Sequence, residues 1–478
     1  MDGNYFDAIH ATLLRQANEV LIVWPTTTGS SEAATSYTGR MLLNRVEAHR
    51  TSLLAQGVCA GEQVLLALPV SLELICALLA VMALGAVPVL PPAAASASTL
   101  AKLVRQLSIR VAVAARPSWI GRLAVHLLRV KISTDRPPTT RAKGTWHTCL
   151  VPMTQAALVS HSSGSTGTAK SIRRSHQVLQ AQHEAIKRVF PPQLGQRDFP
   201  LFPNILLHNL AVGVVSVLPA VPWANMPQLQ PARIVEQLVR EQVQTLTGNV
   251  FYFRTLLAYL RQQPVALPEV VALGIGGSPV PEPLVQELQK FFPNATIHVI
   301  YGSSEAEPIA VRSITSVTSS PLAGYCVGLL LPSLEWRIEG LGQLKRGATI
   351  SHEVGELWVR GAHVATAPGQ WLRTGDYGYV ADNQMFLTGR QGNERLHNGV
   401  QHYQIEHLLY HLPGVERVAA RSDAAGFTVF VQGATNQQVI QELLAKNFPT
   451  IRCLAVHMRA SLPVDTRHHS KILYDQLR

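Results

Sequence analysis

Cysteine is scarce in this sequence, and the cysteines that occur are far apart. Five are present in 478 residues, with no CxxC pair among them: Cys59, Cys76, Cys149, Cys326 and Cys453. Closely spaced pairs are the usual sign of a structural zinc site or a disulfide framework, so the sequence predicts neither. A reducing compartment is the default for such a chain, and we expect a cytoplasmic protein.

Long runs of one charge are also absent, although the chain is basic overall. It has 41 Lys and Arg against 30 Asp and Glu, which gives a formal net charge of +11. The basic residues are scattered and form no basic arm of the kind that binds nucleic acid, so we do not expect a nucleic-acid partner. An excess of positive charge also suits an anionic small molecule.

No apolar run clearly exceeds membrane-spanning length. Residues 74–90 (LICALLAVMALGAVPVL) are at the lower edge of that length, and Pro88 interrupts their end. Glu73 and the Ala-rich composition favour a buried helix that leads into a strand, so no membrane span is predicted. Residues 1–20 contain acidic side chains and no uninterrupted apolar stretch, so a secretory signal is not predicted either.

Apolar residues are abundant, at 47% of the chain against 15% charged residues. This is the composition of a globular protein with a large core. Helical and strand patterns alternate along much of the sequence. Residues 40–56, for example, place five apolar side chains on one helical face and then lead into the strand VLLALP: Leu42, Leu43, Val46, Leu53 and Leu54. Such alternation predicts parallel sheets with crossover helices, an α/β fold.

The pattern changes after residue 350. Two segments, GELWVRG and MFLTGR, are typical of strands joined by turns, with WLRTGDYGYVADN between them. From residue 391 onward the pattern alternates helix (403–412), strand (429–433), helix (436–447) and strand (453–459). The sequence therefore predicts a domain of residues 1–390 and a small α/β domain of residues 391–478, attached through the turn at 389–392.

One segment, HSSGSTGTAK, is rich in glycine and hydroxyl side chains. Glycines let a backbone approach phosphate, hydroxyls add hydrogen-bond donors, and Lys170 adds a charge. An apolar strand precedes the segment, and a helix with Ser175 as its N-cap follows it, so we predict a strand-to-helix loop rather than a linker. As a Walker loop it is incomplete, because Ala169 takes the place of the final glycine and no magnesium-binding aspartate follows a later strand.

The same segment resembles the Thr-Ser-Gly-Ser-Thr-Gly-x-Pro-Lys signature of the adenylate-forming superfamily, which contains acyl-CoA synthetases, adenylation domains and luciferases. Five further motifs are similar to those of this family and follow in the same order. They are Gly276-Gly277-Ser278, Tyr301-Gly302-Ser303-Ser304-Glu305, Thr374-Gly375-Asp376, Gly389-Arg390 and the C-terminal stretch from Pro463 to Lys471. The resemblance covers nearly the whole chain.

The resemblance implies a large N-terminal domain of stacked, mostly parallel sheets with helices and a β-subdomain, and a small mobile C-terminal domain. It also implies ATP and Mg²⁺ as cofactors. The loop residues would hold the β- and γ-phosphates: Ser162, Ser163, Gly164, Ser165, Thr166, Gly167 and Lys170. The turn beside adenine would be Gly276, Gly277 and Ser278.

The remaining motifs imply the other contacts with nucleotide and acid. Tyr301, followed by Gly302, would stack on adenine, Ser304 would contact the α-phosphate, and Glu305 would hold magnesium. Asp376 and Arg390 would bind the ribose. Lys471 would bridge the reacting carboxylate and the α-phosphate.

The chain departs from the family pattern at a few positions. Ala169 stands for the usual proline, Ser171 and Ser470 stand for glycines, and Ser304 stands for threonine. None of these changes removes a charge. At the hinge, Gly392 takes the place of the usual Asp or Lys, so the charged latch is missing although rotation at a glycine is still allowed.

The acid is indicated by residues 199–219. Phe202 and Asn204 lie at the start of this segment, and no acidic side chain occurs between Phe202 and Gly213. An acidic side chain there would hold the ammonium group of an amino acid, so a free α-amino acid is disfavoured as substrate. An apolar acyl or β-hydroxyacyl chain suits the Leu- and Val-rich segment better. His208 and Asn209 are candidates for contact with a substrate hydroxyl; the alternative is that they lie on a loop or helix surface.

Three functions follow from the resemblance. The first is ATP-dependent activation of a fatty or β-hydroxy acid as acyl-AMP, with transfer to the thiol of CoA or of an acyl carrier protein's phosphopantetheine. The second is closure of a β-hydroxyacyl adenylate to a β-lactone without CoA, because PVDTRHHSKI at 463–472 is similar to the tail of olefin-pathway β-lactone synthetases. The third is an inactive nucleotide-binding or scaffold protein, which the intact set of charged motif residues disfavours.

Overall fold

The computed structural model describes residues 2–25, 34–92, 95–115, 129–138, 146–163, 169–223, 225–314, 320–346, 350–465 and 469–478. The chain separates into two compact units, Met1–Leu229 and Gln230–Arg478. Both units combine helices with sheets, which confirms the α/β class. The predicted boundary at 390/391 lies inside the second unit, and it stays a prediction.

The first unit contains a six-stranded sheet, a shorter row of four strands and a two-stranded pair. Its strands are β1 (Asp2–Gly3), β2 (Val20–Trp24), β3 (Thr35–Thr38), β4 (Gln63–Ala67), β5 (Val87–Val89), β6 (Val111–Ala114), β7 (Lys131–Thr134), β8 (Val151–Pro152), β9 (Ala156–Ser163), β10 (Ala169–Ser175), β11 (Arg197–Pro200) and β12 (Val215–Val217). The six-stranded sheet has the order β10-β9-β5-β4-β6-β7 and is parallel except for the β9–β10 pair. The row of four has the order β11-β12-β2-β3.

The helices of this unit pack against these strands. They are α1 (Phe6–Arg15), α2 (Gly39–Ala55), α3 (Leu72–Ala83), α4 (Ala97–Gln106), α5 (His176–Val189), α6 (Pro203–Val212) and a 3₁₀ turn at Met226–Gln228. The apolar faces of α1, α2 and α3 contribute half of one large buried cluster. In α2, Leu42, Val46 and Leu53 are buried as predicted, whereas Leu54 is 46% exposed and its predicted place on the buried face was wrong.

The apolar run 74–90 forms a buried helix followed by a strand, which confirms that prediction. Helix α3 begins after Ser71, whose side chain accepts a hydrogen bond from the Leu74 N–H at 3.2 Å. Its residues from Ile75 to Ala83 are all buried, and β5 follows after a short turn. Within the described ranges, no helix combines the length and the apolar character that crossing a membrane requires.

The segment HSSGSTGTAK is placed differently from the prediction. Strands β9 and β10 form an antiparallel hairpin in which Lys170 lies opposite Ser162 and Ala169 opposite Ser163. The segment is therefore a strand-to-strand connection, because the chain runs back along β10 before α5 begins. The predicted N-cap is confirmed, since the Ser175 side chain accepts from the Val178 N–H at 3.2 Å. Gly164, Ser165, Thr166 and Gly167 lie outside the described residues.

The second unit has more strands than helices. Its strands are β13 (Thr245–Asn249), β14 (Ala272–Gly276), β15 (Thr296–Ser303), β16 (Ala306–Ile314), β17 (Tyr325–Leu330), β18 (Glu335–Arg346), β19 (Ile350–Arg360), β20 (Leu372–Ala381), β21 (Gln384–Arg390), β22 (Val415–Ser422), β23 (Phe427–Gly433) and β24 (Cys453–Arg459). The helices are α7 (Pro231–Arg240), α8 (Val250–Gln262), α9 (Glu282–Phe291), α10 (His402–Leu409) and α11 (Gln437–Asn447), with a 3₁₀ turn at Tyr474–Gln476.

The sheet of this unit changes from parallel to antiparallel. Strands β13, β14 and β15 are parallel neighbours, and β16, β17, β21, β20, β19 and β18 continue the sheet in an antiparallel manner. A separate three-stranded sheet, β22-β23-β24, lies in the C-terminal part with α10 and α11 packed in its core cluster. Two local predictions differ from the structure. Residues 372–381 form a strand and not a turn between strands, and α10 ends at Leu409 and not at residue 412. Strand β22 was not predicted.

Candidate active site

Two predicted motifs lie at one edge of the parallel strands. The register pairs Asn249 with Gly276, and Gly276 with Ile300, so β13 and β14 end level with Ile300, the residue before Tyr301 on β15. Gly276-Gly277-Ser278 and the segment beginning at Tyr301 therefore come together at the carboxyl ends of these strands. This edge is where open parallel sheets bind their ligands.

The glycines of the first motif permit a close approach of two backbones. A Cβ atom at Gly276 would lie 2.5 Å from the carbonyl oxygen of Ile300, and Gly277 has φ +80°. The following hydroxyl, Ser278 Oγ, is buried and has no hydrogen-bond partner among the residues that the structure describes. A buried, unsatisfied hydroxyl is costly unless a ligand or water completes it, so this turn fits a bound polar group.

The structure brings Tyr301, Asp376 and Arg390 into direct contact. Strands β20 and β21 pair Asp376 with Arg390. The Tyr301 hydroxyl donates to Asp376 Oδ2 at 2.8 Å, and Arg390 Nη1 donates to Asp376 Oδ1. Burial and the neighbouring Asp376 carboxylate raise the pKa of Tyr301 well above its usual value. The hydroxyl therefore keeps its proton at neutral pH and acts as a donor.

A residue that was not predicted, Glu356 on β19, holds the strand segment before Asp376. It is buried, and its carboxylate accepts from Arg373 Nη2 at 2.7 Å and from the Gly375 N–H at 3.3 Å. This ion pair raises the pKa of Arg373. The sequence placed Glu356 in the predicted strand GELWVRG and indicated no role for it, because its partner Arg373 lies 17 residues further along the chain.

Ser304 and Glu305 form the turn between β15 and β16. Both are half-buried, and the Glu305 carbonyl oxygen accepts from the Ala365 N–H at 2.7 Å, which fixes this turn. Gly302 is close-packed, since a Cβ there would lie 2.8 Å from the Ala306 carbonyl oxygen. In the parts of the chain that the structure describes, no three His, Cys, Asp or Glu side chains are grouped to hold a metal ion.

The two predicted lysines are placed in different units. Lys170 is exposed on β10 in the first unit, and Lys471 is exposed near the C-terminal end of the second. His469, two residues before Lys471, contacts the start of α8, since its ring centre lies 5.6 Å from that of Phe251. Because α8 directly follows β13, His469 lies near the carboxyl end of β13.

At the predicted hinge, the Gly392 N–H donates to the Glu394 carboxylate, and buried neutral side chains nearby form a hydrogen-bond network. Gly392 has φ +91°, a conformation that favours glycine. Beside it, the Thr388 hydroxyl donates to Gln401 Oε1 at 2.5 Å, and Gln404 Nε2 donates to the Leu322 carbonyl oxygen at 3.0 Å. Asn393 Nδ2 donates to the Ala420 carbonyl oxygen at 2.9 Å. Thr388, Gln401 and Gln404 are fully buried.

The predicted acyl segment forms β11 and α6 in the first unit. Phe202 is the residue before α6, and Asn204 is half-buried in its first turn. His208 and Asn209 are both buried, so the surface alternative was wrong. His208 Nδ1 lies 3.1 Å from His183 Nδ1.

Hydrogen bonds and burial determine the state of these two side chains. Asn209 Nδ2 donates to Asp198 Oδ2 at 2.8 Å and to Ser216 Oγ at 3.0 Å. Burial lowers the pKa of His208 to about 3, with the neighbouring His183 adding to the effect. His208 is therefore neutral at physiological pH. The proposed contact of either residue with substrate stays a prediction.

Comparison with curated proteins gives relatives along most of the chain. It is 26% identical to the olefin beta-lactone synthetase of Stenotrophomonas maltophilia, over 92% of this chain and 90% of that protein. It is 24% identical to a 4-chlorobenzoate–CoA ligase of Arthrobacter sp. over 87% of this chain and 82% of the ligase.

Comparison of structures gives the same fold. The O-succinylbenzoate coenzyme A synthetase of Bacillus subtilis, solved with ATP and a magnesium ion, superposes with a TM-score of 0.78 and 16% identity, covering 100% of both chains. The family model described as "AMP-binding enzyme" matches residues 11–367. The chain therefore belongs to the AMP-binding enzyme family of adenylate-forming ligases.

Proposed function

We propose that this enzyme uses ATP and Mg²⁺ to convert a carboxylic acid into its acyl-adenylate, with release of pyrophosphate. Two observations carry the proposal: the group formed by Asp376, Tyr301 and Arg390, and the unsatisfied Ser278 hydroxyl in the turn after β14, the strand paired with β15. Each carboxylate oxygen of Asp376 has a second lone pair, so it can accept from a ribose hydroxyl while it keeps its present partner.

The chemical step requires two anions to meet. A carboxylate oxygen of the acid attacks the α-phosphorus of ATP, an O–P bond forms, and the bond to the β-phosphate oxygen breaks as pyrophosphate leaves with the electron pair. Charge neutralisation and alignment are therefore the main tasks of the protein. We assign the β- and γ-phosphates to the loop before Lys170, the α-phosphate to Ser304, and the bridge between the reacting oxygens to Lys471.

Glu305 is the residue that we assign to Mg²⁺. The ion would supply positive charge against the phosphate oxygens. A single carboxylate is a suitable protein contribution, because Mg²⁺ commonly takes one or two carboxylates and completes its shell with phosphate and water. The half-buried turn that carries Glu305 is held at its backbone by Ala365.

The acid that we propose is an apolar acyl or β-hydroxyacyl chain, because residues 199–219, which include α6 and β12, are rich in Leu and Val. Two second steps are candidates. Transfer to the thiol of CoA or of a carrier protein is supported by similarity to a CoA ligase. Closure to a β-lactone is supported by similarity to an olefin beta-lactone synthetase over 92% of the chain and by the segment 463–472.

One assay separates these functions. The enzyme is incubated with ATP, magnesium and a panel of fatty, β-hydroxy, aryl and amino acids, with and without CoA, and the products are identified by mass spectrometry. We expect acyl-AMP from an apolar acid. A thioester that needs CoA selects the first candidate and a β-lactone without CoA selects the second. Nucleotide binding without pyrophosphate release for any acid would support the scaffold alternative and contradict the proposal.

Lys471→Ala is the first variant to test. Removal of a charge that stabilises the transition state typically costs about 10²–10³ in rate, so we expect ATP–pyrophosphate exchange to fall at least ~100-fold. Lys446→Ala, which removes an exposed lysine from the end of α11, is the matched control and should exchange normally. Exchange at the wild-type rate in Lys471→Ala would remove this residue from the mechanism.

A further inference from the structure

Backbone pairing fixes the residues on either side of Lys471. Val464 and Ile472 form an antiparallel bridge. The Asp465 N–H donates to the Lys471 carbonyl oxygen at 2.9 Å. The position of the Lys471 backbone is therefore coupled directly to Asp465.

The Asp465 side chain adds a second contact to the same residue. Its Oδ1 accepts from the Lys471 N–H at 3.0 Å and from the Ser470 N–H at 3.4 Å. Only 6% of Asp465 is exposed, so water competes little for these contacts. Asp465 thus binds both the N–H and the C=O of Lys471 and fixes the backbone on both sides of its Cα atom.

His469, two residues before Lys471, is attached to the elements around it. Arg417 on β22 donates through Nη2 to the His469 carbonyl oxygen at 2.9 Å. The His469 ring packs against Phe251 at the start of α8. These contacts place His469 near the carboxyl end of β13, the strand paired with β14.

We propose that Asp465 is a positioning residue for adenylation that acts through Lys471. The inference rests on the proposed function, in which the Lys471 ammonium bridges the reacting oxygens. A lysine side chain is flexible, so a fixed backbone limits the volume that its ammonium samples. Misplacement by about 1 Å can cost ~10²-fold in rate, so removal of the Asp465 carboxylate should lower turnover more than ATP binding.

The first test compares three substitutions by ATP–pyrophosphate exchange. For Asp465→Ala we expect kcat to fall at least ~10-fold with KM for ATP within about threefold of wild type. Asp465→Asn keeps an acceptor oxygen in place and should stay within about threefold of wild type. Asp465→Glu keeps the charge but moves it by one methylene, so its kcat should be lower than that of Asp465→Asn. Asp475→Ala, an exposed aspartate on the same tail, is the control.

The second test is a double-mutant cycle with Lys471→Ala. If Asp465 acts through Lys471, the substitution Asp465→Ala has no further effect on the residual exchange of Lys471→Ala. A merely structural aspartate would lower that residual exchange as well, and this result would overturn the proposal. If Asp465→Ala does not fold, the comparison of the Asn and Glu variants decides, and equal or reversed kcat values overturn the proposal.

The outcomes separate this inference from the proposed function. Normal exchange in Asp465→Ala together with lost exchange in Lys471→Ala overturns the inference alone. Normal exchange in Lys471→Ala overturns the assignment of the lysine, and the inference fails with it. If exchange is reduced in both single variants and is no lower in the double variant than in Lys471→Ala, both the inference and the assignment of Lys471 are supported.

Discussion

The carboxylate of Asp376 joins two strands and a tyrosine through its two oxygens. It is 7% exposed, and it receives the hydroxyl of Tyr301 and the guanidinium of Arg390. A buried carboxylate that loses one donor keeps its charge in a poorly solvated place, which is more costly than the net value of the hydrogen bond. The tyrosine therefore contributes to stability as well as to the proposed adenine site.

Tyr301→Phe removes this donor and keeps the ring. We expect the free energy of unfolding to fall by about 1–3 kcal/mol, since the acceptor is charged and buried. Any stacking on adenine should survive, so ATP should still bind. Urea unfolding measures the first effect and a nucleotide titration the second.

Tyr259→Phe is the control for this substitution. Its hydroxyl donates to Gln263 Oε1 at 2.9 Å in an exposed position, so its loss should change stability by less than ~0.5 kcal/mol. Equal losses in the free energy of unfolding would show that the contact with Asp376 contributes no more to stability than an exposed hydrogen bond.

Individual site residues could be predicted only where they belong to a local motif. Tyr301, Asp376 and Arg390 were identified in this way, and they are in contact. Glu356 and Asp465 were missed, because their roles consist of contacts that become visible only when the chain is folded. Spacing along the sequence carries no information on the burial that makes these carboxylates effective.

The carboxyl edge of β13–β15 depends on a close approach of two strands. Gly276 at the end of β14 faces the backbone of β15 at Ile300, where an added Cβ would lie 2.5 Å from a carbonyl oxygen. Backbone atoms of a paired strand cannot rotate away as a side chain can. The glycine is therefore required by the geometry of the strands.

Gly276→Ala should separate β14 from β15 or distort their register. Overpacking of this kind typically costs about 1–3 kcal/mol, and we expect a loss in that range together with weaker ATP binding. Urea unfolding and a nucleotide titration measure the two effects.

Gly274→Ala, two residues earlier on β14, is the matched control. Its Cβ would lie 3.0 Å from the side-chain atoms Ile300 Cδ1 and Thr247 Cγ2, which can move. A smaller loss is therefore expected than at Gly276. A loss at Gly274 as large as that at Gly276 would contradict the role given to the Ile300 backbone.

Elements with a clear apolar pattern could be predicted, whereas polar strands could not. Helix α3 and strand β5 follow from an apolar run. Strand β10 was missed because its sequence AKSIRRS is mostly charged or polar, and one of its buried positions is occupied by Arg174. The Arg174 guanidinium donates to Ser160 Oγ on β9, a contact across the hairpin that composition does not reveal.

Buried ionisable groups in both units make the stability of the whole chain depend on pH. Burial lowers the pKa of His176 to about 4 and those of His208, His402 and His407 to about 3. Burial raises the pKa of Glu406 to about 8, while its hydrogen bonds from Ala420 and Tyr474 partly oppose this shift. As pH rises, the histidines therefore increase the stability of the folded chain, whereas Glu406 decreases it.

The sign of each contribution follows from proton linkage. The depressed histidines contribute stability that is present above pH ~6.5 and is lost as pH falls toward 3 to 4. Glu406, with its raised pKa, contributes stability that is present below pH ~4.5 and is lost as pH rises through about 8. We expect stability to be greatest near pH 6.5 and to decline on both sides.

Glu406→Gln tests the alkaline side of this prediction. The amide oxygen can still accept from the Ala420 N–H and the Tyr474 hydroxyl, but the group no longer ionises. Unfolding midpoints measured from pH 5 to 9 should decline less above pH 6.5 in this variant than in the wild type. Parallel profiles would show that Glu406 does not control the decline.

The network at the predicted hinge has a consequence for the second unit. The hydrogen bond between Thr388 and Gln401 connects β21 to the residue before α10, and Gln404 connects α10 to Leu322. Asn393 connects the turn after β21 to β22. All of these groups are amides, hydroxyls or carbonyls, and none of them ionises. Dissolved salt screens interactions between charges and has little effect on buried neutral hydrogen bonds. This neutral part of the attachment should therefore have nearly the same strength in dilute buffer and in concentrated salt, whereas the neighbouring Arg390–Asp376 ion pair is the part that salt can weaken.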